Sequence, residues 1–313
     1  MTKFSWKDFQ IEDLINHKAH EVDNLPNGVS VSTMCCSAKI GSEIKIDKIM
    51  NFLQLNSDDI LTVKMNDMKI RTLLTKKIKN KRKKIGTKKA KTQKFYNQIT
   101  VVVRITHGDY EDINNEKRIN VKLFKNGSIQ MSGCKRIEEV NTVINKLVYR
   151  LKEIKGLRTE DGEGIEYISF LEDADKININ SYKIDMINSN YRVNLMVDRS
   201  KFYKLLLKKK IEASFEPCIR ACVIIKYCPP VDNPDEKSIS IFIFQKGNII
   251  ITGAKSRNQV ISSYNYLNDI IMEHADDISK KDDKEDEKVL LDLYKDILEE
   301  NKHKLFGLDL VMK

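Results

Sequence analysis

Two stretches of this chain, 120 residues apart, repeat one another without gaps, so the fold must be one that can be built twice. Phe124 and Phe244, Gly127 and Gly247, Ile129 and Ile249, Gly133 and Gly253, and Lys135 and Lys255 coincide. So do Val140 and Val260, Asn145 and Asn265, and Leu147 and Leu267, while Met131/Ile251 and Ser132/Thr252 are conservative exchanges.

Each copy carries the same physical pattern. Ile119, Val121 and Leu123 alternate with Asn120, Lys122 and Phe124, the two-residue period of a half-covered strand. Asn126-Gly127 supplies the positive φ of a tight hairpin. The return strand sets Ile129 and Met131 on one face and Ser128, Gln130 and Ser132 on the other. A helix follows, with Ile137, Val140, Ile144, Leu147 and Leu151 at three- and four-residue spacing. In the second copy Ile239, Ile241, Ile243, Ile249 and Ile251 form the inner face, and Val260, Tyr264, Leu267 and Ile271 form the helix stripe.

Another strand precedes each hairpin. In the first copy Ile99, Val101, Val103 and Ile105 alternate with Gln98, Thr100, Val102 and Arg104. In the second, Val223, Ile225 and Tyr227 stand against Arg220, Cys222, Ile224 and Lys226. A strand and a helix come earlier still, at about 29–40 and 44–54, then at about 182–195 and 198–209. The fold class is therefore α+β, with helices on one face of an antiparallel sheet. The boundaries read as an arm (1–28), a first repeat (29–151), a connector (152–180), a second repeat (181–272) and a charged tail (273–313). Val289, Leu290, Leu293, Ile297 and Leu298 suggest a small amphipathic helix in that tail.

The net charge of +10 is local. Residues 69–94 hold thirteen Lys or Arg and no acid, inside an insertion over about 66–95. That run, with Lys79-Asn-Lys-Arg-Lys-Lys84 at its centre, is either a phosphate-contacting or nuclear-import segment or a solvated loop. The six cysteines form no CxxC pair and sit mostly in apolar strands, which favours reduced, buried thiols. His17-Lys-Ala-His20 has ligand spacing but no further His or Cys beside it, so it reads as helix surface and no metal or other cofactor is assigned. Neither a nucleotide-binding glycine loop nor a nucleophile–base arrangement is present, so no enzyme is expected. No apolar run is long enough to span a membrane, and the first residues lack a secretory core.

The face opposite the helices should be polar, yet it carries Phe242, Phe244 and Ile250 in the second copy and Phe124 beside Lys122 in the first. Either a second layer or dimer partner covers it, or it is a ligand surface. Apolar groups ringed by Lys and Arg suit nucleic acid, because phosphates take the charges and base steps take the rings.

Ile241-Phe-Ile-Phe-Gln-Lys-Gly-Asn-Ile-Ile-Ile-Thr-Gly-Ala-Lys255 resembles the signature hairpin of the TATA-box-binding protein family. Phe124-Lys-Asn-Gly-Ser-Ile-Gln-Met-Ser-Gly-Cys-Lys135 resembles its partner in the first repeat. Ser214-Phe-Glu-Pro217 and Val31-Ser-Thr33 resemble further landmarks of the same family. The resemblance covers roughly 29–151 and 181–272, less the basic insertion. It implies a saddle of two pseudo-symmetric repeats, whose curved antiparallel sheet straddles the minor groove and whose helices lie on the convex face.

Carried across by position, the family's hairpin phenylalanines fall on Phe124 and Phe244, while their partners on the preceding strand fall on Gln98 and Arg220. Phe95 and Phe215 lie nearby in a shifted register. The groove-centre asparagines fall near Val29 and Met186, with Asn27 and Asn188 two residues away. Val31, Ser132, Ile250 and Thr252 match small or branched contact positions. Arg104, Lys135, Lys226 and Lys255 match basic positions near phosphates, which position rather than specify.

The resemblance implies a transcription initiation factor that binds A+T-rich double-stranded DNA as a monomer and recruits a B-type initiation factor and RNA polymerase. The abundance of Lys, Asn and Ile and the large insertions point toward the versions of large DNA viruses. Its place would be intracellular: the nucleus, or a cytoplasmic virus factory or virion. Two rival readings use the same face: a scaffold that covers a protein instead of DNA, and single-stranded nucleic-acid binding by stacking.

Overall fold

The computed structural model describes residues 22–65, 69–74, 96–106, 116–159, 163–229 and 238–280. The His17/His20 pair, Phe95, the centre of the basic insertion and the apolar positions of the tail lie outside the described residues.

The chain begins with β1 (Ser30–Lys39), α1 (Ile46–Phe52), β2 (Ile60–Met65) and β3 (Lys69–Thr72). Next come β4 (Gln98–Ile105), β5 (Lys117–Phe124), β6 (Ser128–Cys134) and α2 (Ile137–Leu151). A separate hairpin, β7 (Lys155–Arg158) and β8 (Ile165–Ile168), leads to β9 (Asn180–Arg192) and α3 (Arg199–Lys208). The second repeat closes with β10 (Ala213–Ser214), β11 (Cys222–Tyr227), β12 (Ile239–Phe244), β13 (Asn248–Ala254), α4 (Arg257–Glu273) and α5 (Ala275–Ile278).

The strand order is β10-β11-β12-β13-β9-β1-β6-β5-β4-β2-β3. Read outward from the β9–β1 pair, each side meets a return strand, a hairpin strand and the strand before it; β2 and β3 then follow on one side and β10 alone on the other. β1 runs antiparallel to both β6 and β9, and β4 runs antiparallel to β2 and β5. β2, β3, β10 and the β7–β8 hairpin go beyond the sequence expectation. β3, β7, β8 and β10 have only two to four residues, too few for a period, and the first four residues of β2 are all buried, so it shows no alternation.

By contact the described chain divides into two compact units. The larger takes the described residues of Met1–Tyr191, Cys228–Ser240 and Ile250–Tyr264, and the smaller those of Arg192–Tyr227, Ile241–Ile249 and Asn265–Lys313. In the larger unit Ile99, Val101, Val103, Ile119, Val121, Leu123, Ile129 and Met131 are all buried, and α2 packs on β4 and β6. The helix answers with Ile137, Val140, Ile144, Leu147 and Leu151, each no more than 3% exposed. Burying such side chains contributes roughly 1.5–3 kcal/mol apiece, which is why the three- and four-residue spacing decides the helix. In the smaller unit Asp198 caps α3 by accepting from the backbone N–H groups of Ser200 and Lys201, both at 3.0 Å. The buried side chains of that helix are Phe202 and Leu206.

The hairpin glycines act alike in both repeats. Gly127 and Gly247 have φ of +79° and +77°. Their carbonyls accept from Ile40 and Val193, both at 2.9 Å, where the chain leaves β1 and β9. A Cβ on Gly127 would meet the Ser42 carbonyl oxygen, and one on Gly247 that of Val193. Turn geometry and close approach together demand glycine.

The cysteines divide. Cys36, Cys134 and Cys222 are buried free thiols, and burial pushes Cys36 up to about 11. Cys218 and Cys228 are exposed, against the expectation for them, because Cys218 lies in the turn before β11 and Cys228 directly follows that strand. No helix among the described residues is long and apolar enough to cross a membrane.

Candidate nucleic-acid interface

The face of the sheet turned away from α2 is half open in the larger unit. β4 places Gln98, Thr100, Val102 and Arg104 there, between fully buried neighbours. β5 contributes exposed Asn120 and Lys122 and half-buried Phe124, and β6 contributes Ser128, Gln130 and Ser132. Val31, Thr33, Cys35 and Ser37 of β1 continue the row. Met186 and Asn188 of β9 follow, and Thr252 of β13, with Ile250 at 36% exposure. The alternation seen in the sequence is thus a real division of faces.

Phe124 sits directly opposite Gln98, and Lys122 opposite Thr100 on one side and Gln130 on the other. Ser132 lies opposite Cys35. Among the asparagine candidates the structure separates two cases. Asn188 is on β9 opposite Thr33, and its side-chain carbonyl accepts a short hydrogen bond from the Thr252 hydroxyl. That bond leaves the amide N–H groups of Asn188 as donors for other acceptors. Asn27, expected on the strand, instead occupies the turn before β1, beside Gly28 at φ +83°. The Asn-Gly pair favours a turn over extension there, so the strand begins only at Ser30.

The basic positions also differ among themselves. Lys135 and Lys255 are exposed, and each is pinned through its own backbone N–H. Lys135 donates to Glu139 at 2.6 Å and Lys255 to Gln259 at 2.7 Å, the same contact in each repeat. Arg104 is committed internally: it donates to Glu116 Oε2 at 3.0 Å and to the Ser57 carbonyl at 2.8 Å. Glu116 is held below the usual carboxylate range chiefly by its bond from Arg118; desolvation opposes this, and the charges of Arg104 and Arg118 and the bond from Arg104 add to the lowering.

In the smaller unit Phe242 and Phe244 are half-buried on β12 and Lys226 is exposed on β11. Arg220 departs from its expected place. Its N–H donates to the Glu216 carbonyl at 2.8 Å in a turn, and β11 starts only at Cys222. Cys222 and Ile224, expected on the open side, are 7% and 5% exposed, so this face of β11 is covered at those two positions and opens only at Lys226. Phe215 is engaged elsewhere: its ring lies 6.1 Å from Tyr203 and 5.6 Å from the Arg199 guanidinium of α3.

Asp185 is the residue sequence reasoning missed. Met186 pairs with Cys35 and Ile184 with Cys36, so Asp185 is an extra residue, a β-bulge. Its Oδ1 accepts from the Ser37 hydroxyl at 3.1 Å and lies 3.7 Å from Lys183 Nζ. Asp185 and Met186 are both half-buried between buried Ile184 and Ile187, so both project onto the open side with Ser37 and Cys35. A period-two reading cannot foresee a residue that breaks the period.

Residues 183–274 match the family model of transcription factor TFIID (or TATA-binding protein, TBP). A TATA-box-binding protein-like protein of Acanthamoeba polyphaga mimivirus is 36% identical over 263 residues, 78% of this chain and 65% of that protein. An uncharacterized protein of Ostreid herpesvirus 1 is 31% identical over 90 residues, 26% of this chain and 65% of that protein. The chain therefore spans just under two thirds of the length of these relatives. Among solved structures, the Methanococcus jannaschii TBP covers 78% of this chain and 98% of its own, at 16% identity and a TM-score of 0.46. With a matched domain in the second repeat, a duplicated unit and a viral relative along most of its length, the chain is a divergent member of the TATA-box-binding protein family, resembling those of large DNA viruses.

Proposed function

We propose that this protein binds A+T-rich double-stranded DNA in the minor groove and nucleates the assembly of a transcription initiation complex. The observation that carries the reading is the open face of the larger unit. Small, hydroxyl and apolar side chains of β1, β6, β9 and β13 form its middle, while Phe124 and Lys122 stand toward the hairpin. Such a face can lie against base edges without leaving many polar groups unpaired, and an aromatic at its end can enter a base step. Val31, Ser132, Ile250 and Thr252 would meet the groove floor, and Asn188 would donate to the A N3 or T O2 acceptors. Lys135, Lys226 and Lys255 would meet phosphates and fix orientation. Phe244, with Phe242 on the same strand, would play in the second repeat the part of Phe124 in the first.

The partners that follow are a B-type general transcription factor and RNA polymerase, engaged by the helices, with one copy of the chain on each DNA site. The setting is the nucleus, or a cytoplasmic virus factory or virion. Non-enzymatic action agrees with the family. Selection of bound duplexes from a random pool tests the reading, the expected outcome being enrichment of A+T-rich sequences. Equal binding of A+T-rich and G+C-rich duplexes at moderate salt, or capture of unpaired oligonucleotide in preference to duplex, would reject it.

A further inference from the structure

Asp185 stands in an unusual place for a protein whose partner is a polyanion. It lies on β9, one of the two strands at the middle of the strand order, on the same side as Cys35, Ser37, Met186 and Asn188. The bulge that puts it there adds one residue against Cys35 and Cys36, and bulges re-aim side chains beside functional surfaces. The Ser37 hydroxyl and Lys183 both address Oδ1, and no partner holds Oδ2 among the described residues. The side chain is 28% exposed, so that oxygen is open to a ligand seated on the face.

An ionised carboxylate can only accept hydrogen bonds. In the minor groove A·T and T·A pairs present acceptors alone, N3 and O2, and the one donor is the 2-amino group of guanine. Asp185 above an A·T pair therefore sets acceptor against acceptor and strips water from a charge with no return. Above a G·C pair the same oxygen receives an N–H, a charge-assisted bond of the stronger kind. Resting on the minor-groove reading above, we propose that Asp185 is a specificity-determining residue that accepts a hydrogen bond from a guanine 2-amino group. The preferred site is then an A+T-rich duplex interrupted by one G·C pair at the step that faces β9.

The test uses the full chain and a panel of duplexes sharing one A+T-rich sequence, with a single G·C pair moved through every position in both orientations. A second panel replaces guanine by hypoxanthine, which lacks the 2-amino group and keeps the rest of the base. The expected result is one position at which G·C binds on the order of tenfold tighter than A·T. That gain disappears with hypoxanthine and in Asp185→Ala, which removes the acceptor and whose melting temperature checks that the fold is kept. The proposal is overturned if no position gains, if the gain survives hypoxanthine, or if Asp185→Ala keeps the wild-type profile. If the A+T-rich parent is bound and only the gain is missing, Asp185 alone has been misread. If no duplex is bound at all, the minor-groove reading falls with it.

Discussion

Phe124 and Gln98 face each other directly across β4 and β5. The position where the family resemblance calls for a second ring is thus occupied by an amide. An amide gives up the apolar area a base step would cover, so in the minor-groove binding proposed above the wedge of this repeat would fall to Phe124 alone. Phe124→Ala should weaken duplex binding by roughly 1–3 kcal/mol, the range for one base–aromatic contact, with little change in melting temperature because the ring is not core. Gln98→Phe should increase DNA bending. Binding titration and end-to-end energy transfer on labelled duplex check the two.

Gly127→Ala and Gly247→Ala should each destabilise the fold by roughly 1–3 kcal/mol, from positive φ alone. The added Cβ would also push on the Ser42 or Val193 backbone, so the upper part of that range is expected. Urea unfolding measures it. An unchanged midpoint for either variant would show that the turn relaxes freely.

The buried Arg150–Asp59 pair, 2.6 Å between Nε and Oδ2, ties α2 to the residue before β2. Asp59→Ala leaves Arg150, whose side chain is 9% exposed, with Glu153 as its remaining carboxylate partner, and should cost roughly 1–3 kcal/mol. Asp59→Leu combined with Arg150→Leu should lose far less, since both charges leave together. Thermal melts of the single and double variants decide between them.

Cys35 offers a chemical footprint of the face. Burial first, then the charge of Asp185, raise its pKa, while Lys122 lowers it. A raised pKa leaves less thiolate at pH 8, so alkylation should run slower than for a free thiol and speed up as pH rises. Bound A+T-rich duplex should slow it further, and Asp185→Asn should quicken it by removing a raising influence. Peptide mapping separates Cys35 from the exposed Cys218 and Cys228.

Lys135→Ala, Lys226→Ala and Lys255→Ala should each weaken binding about equally across sequences and reduce the salt slope by about one. Arg104→Ala should change the slope less, because its guanidinium is already held by Glu116 and the Ser57 carbonyl. Instead it should lower stability, which a melt at the same salt detects.

The repeat, the strand faces and the helix stripes were legible in the amino-acid order. Ile119, Val121, Leu123, Ile137, Val140 and Leu147 announce burial by a period that local chain geometry fixes. Gly127 and Gly247 likewise state a backbone angle that no other residue takes readily. The tertiary structure decided whatever depends on partners distant in sequence: the register that sets Gln98 against Phe124, the hydroxyl of Thr252 that orients Asn188, and the turn that removes Arg220 from its strand. It also decided the bulge that turns Asp185 onto the open face, because an extra residue in a strand has meaning only against the strand beside it.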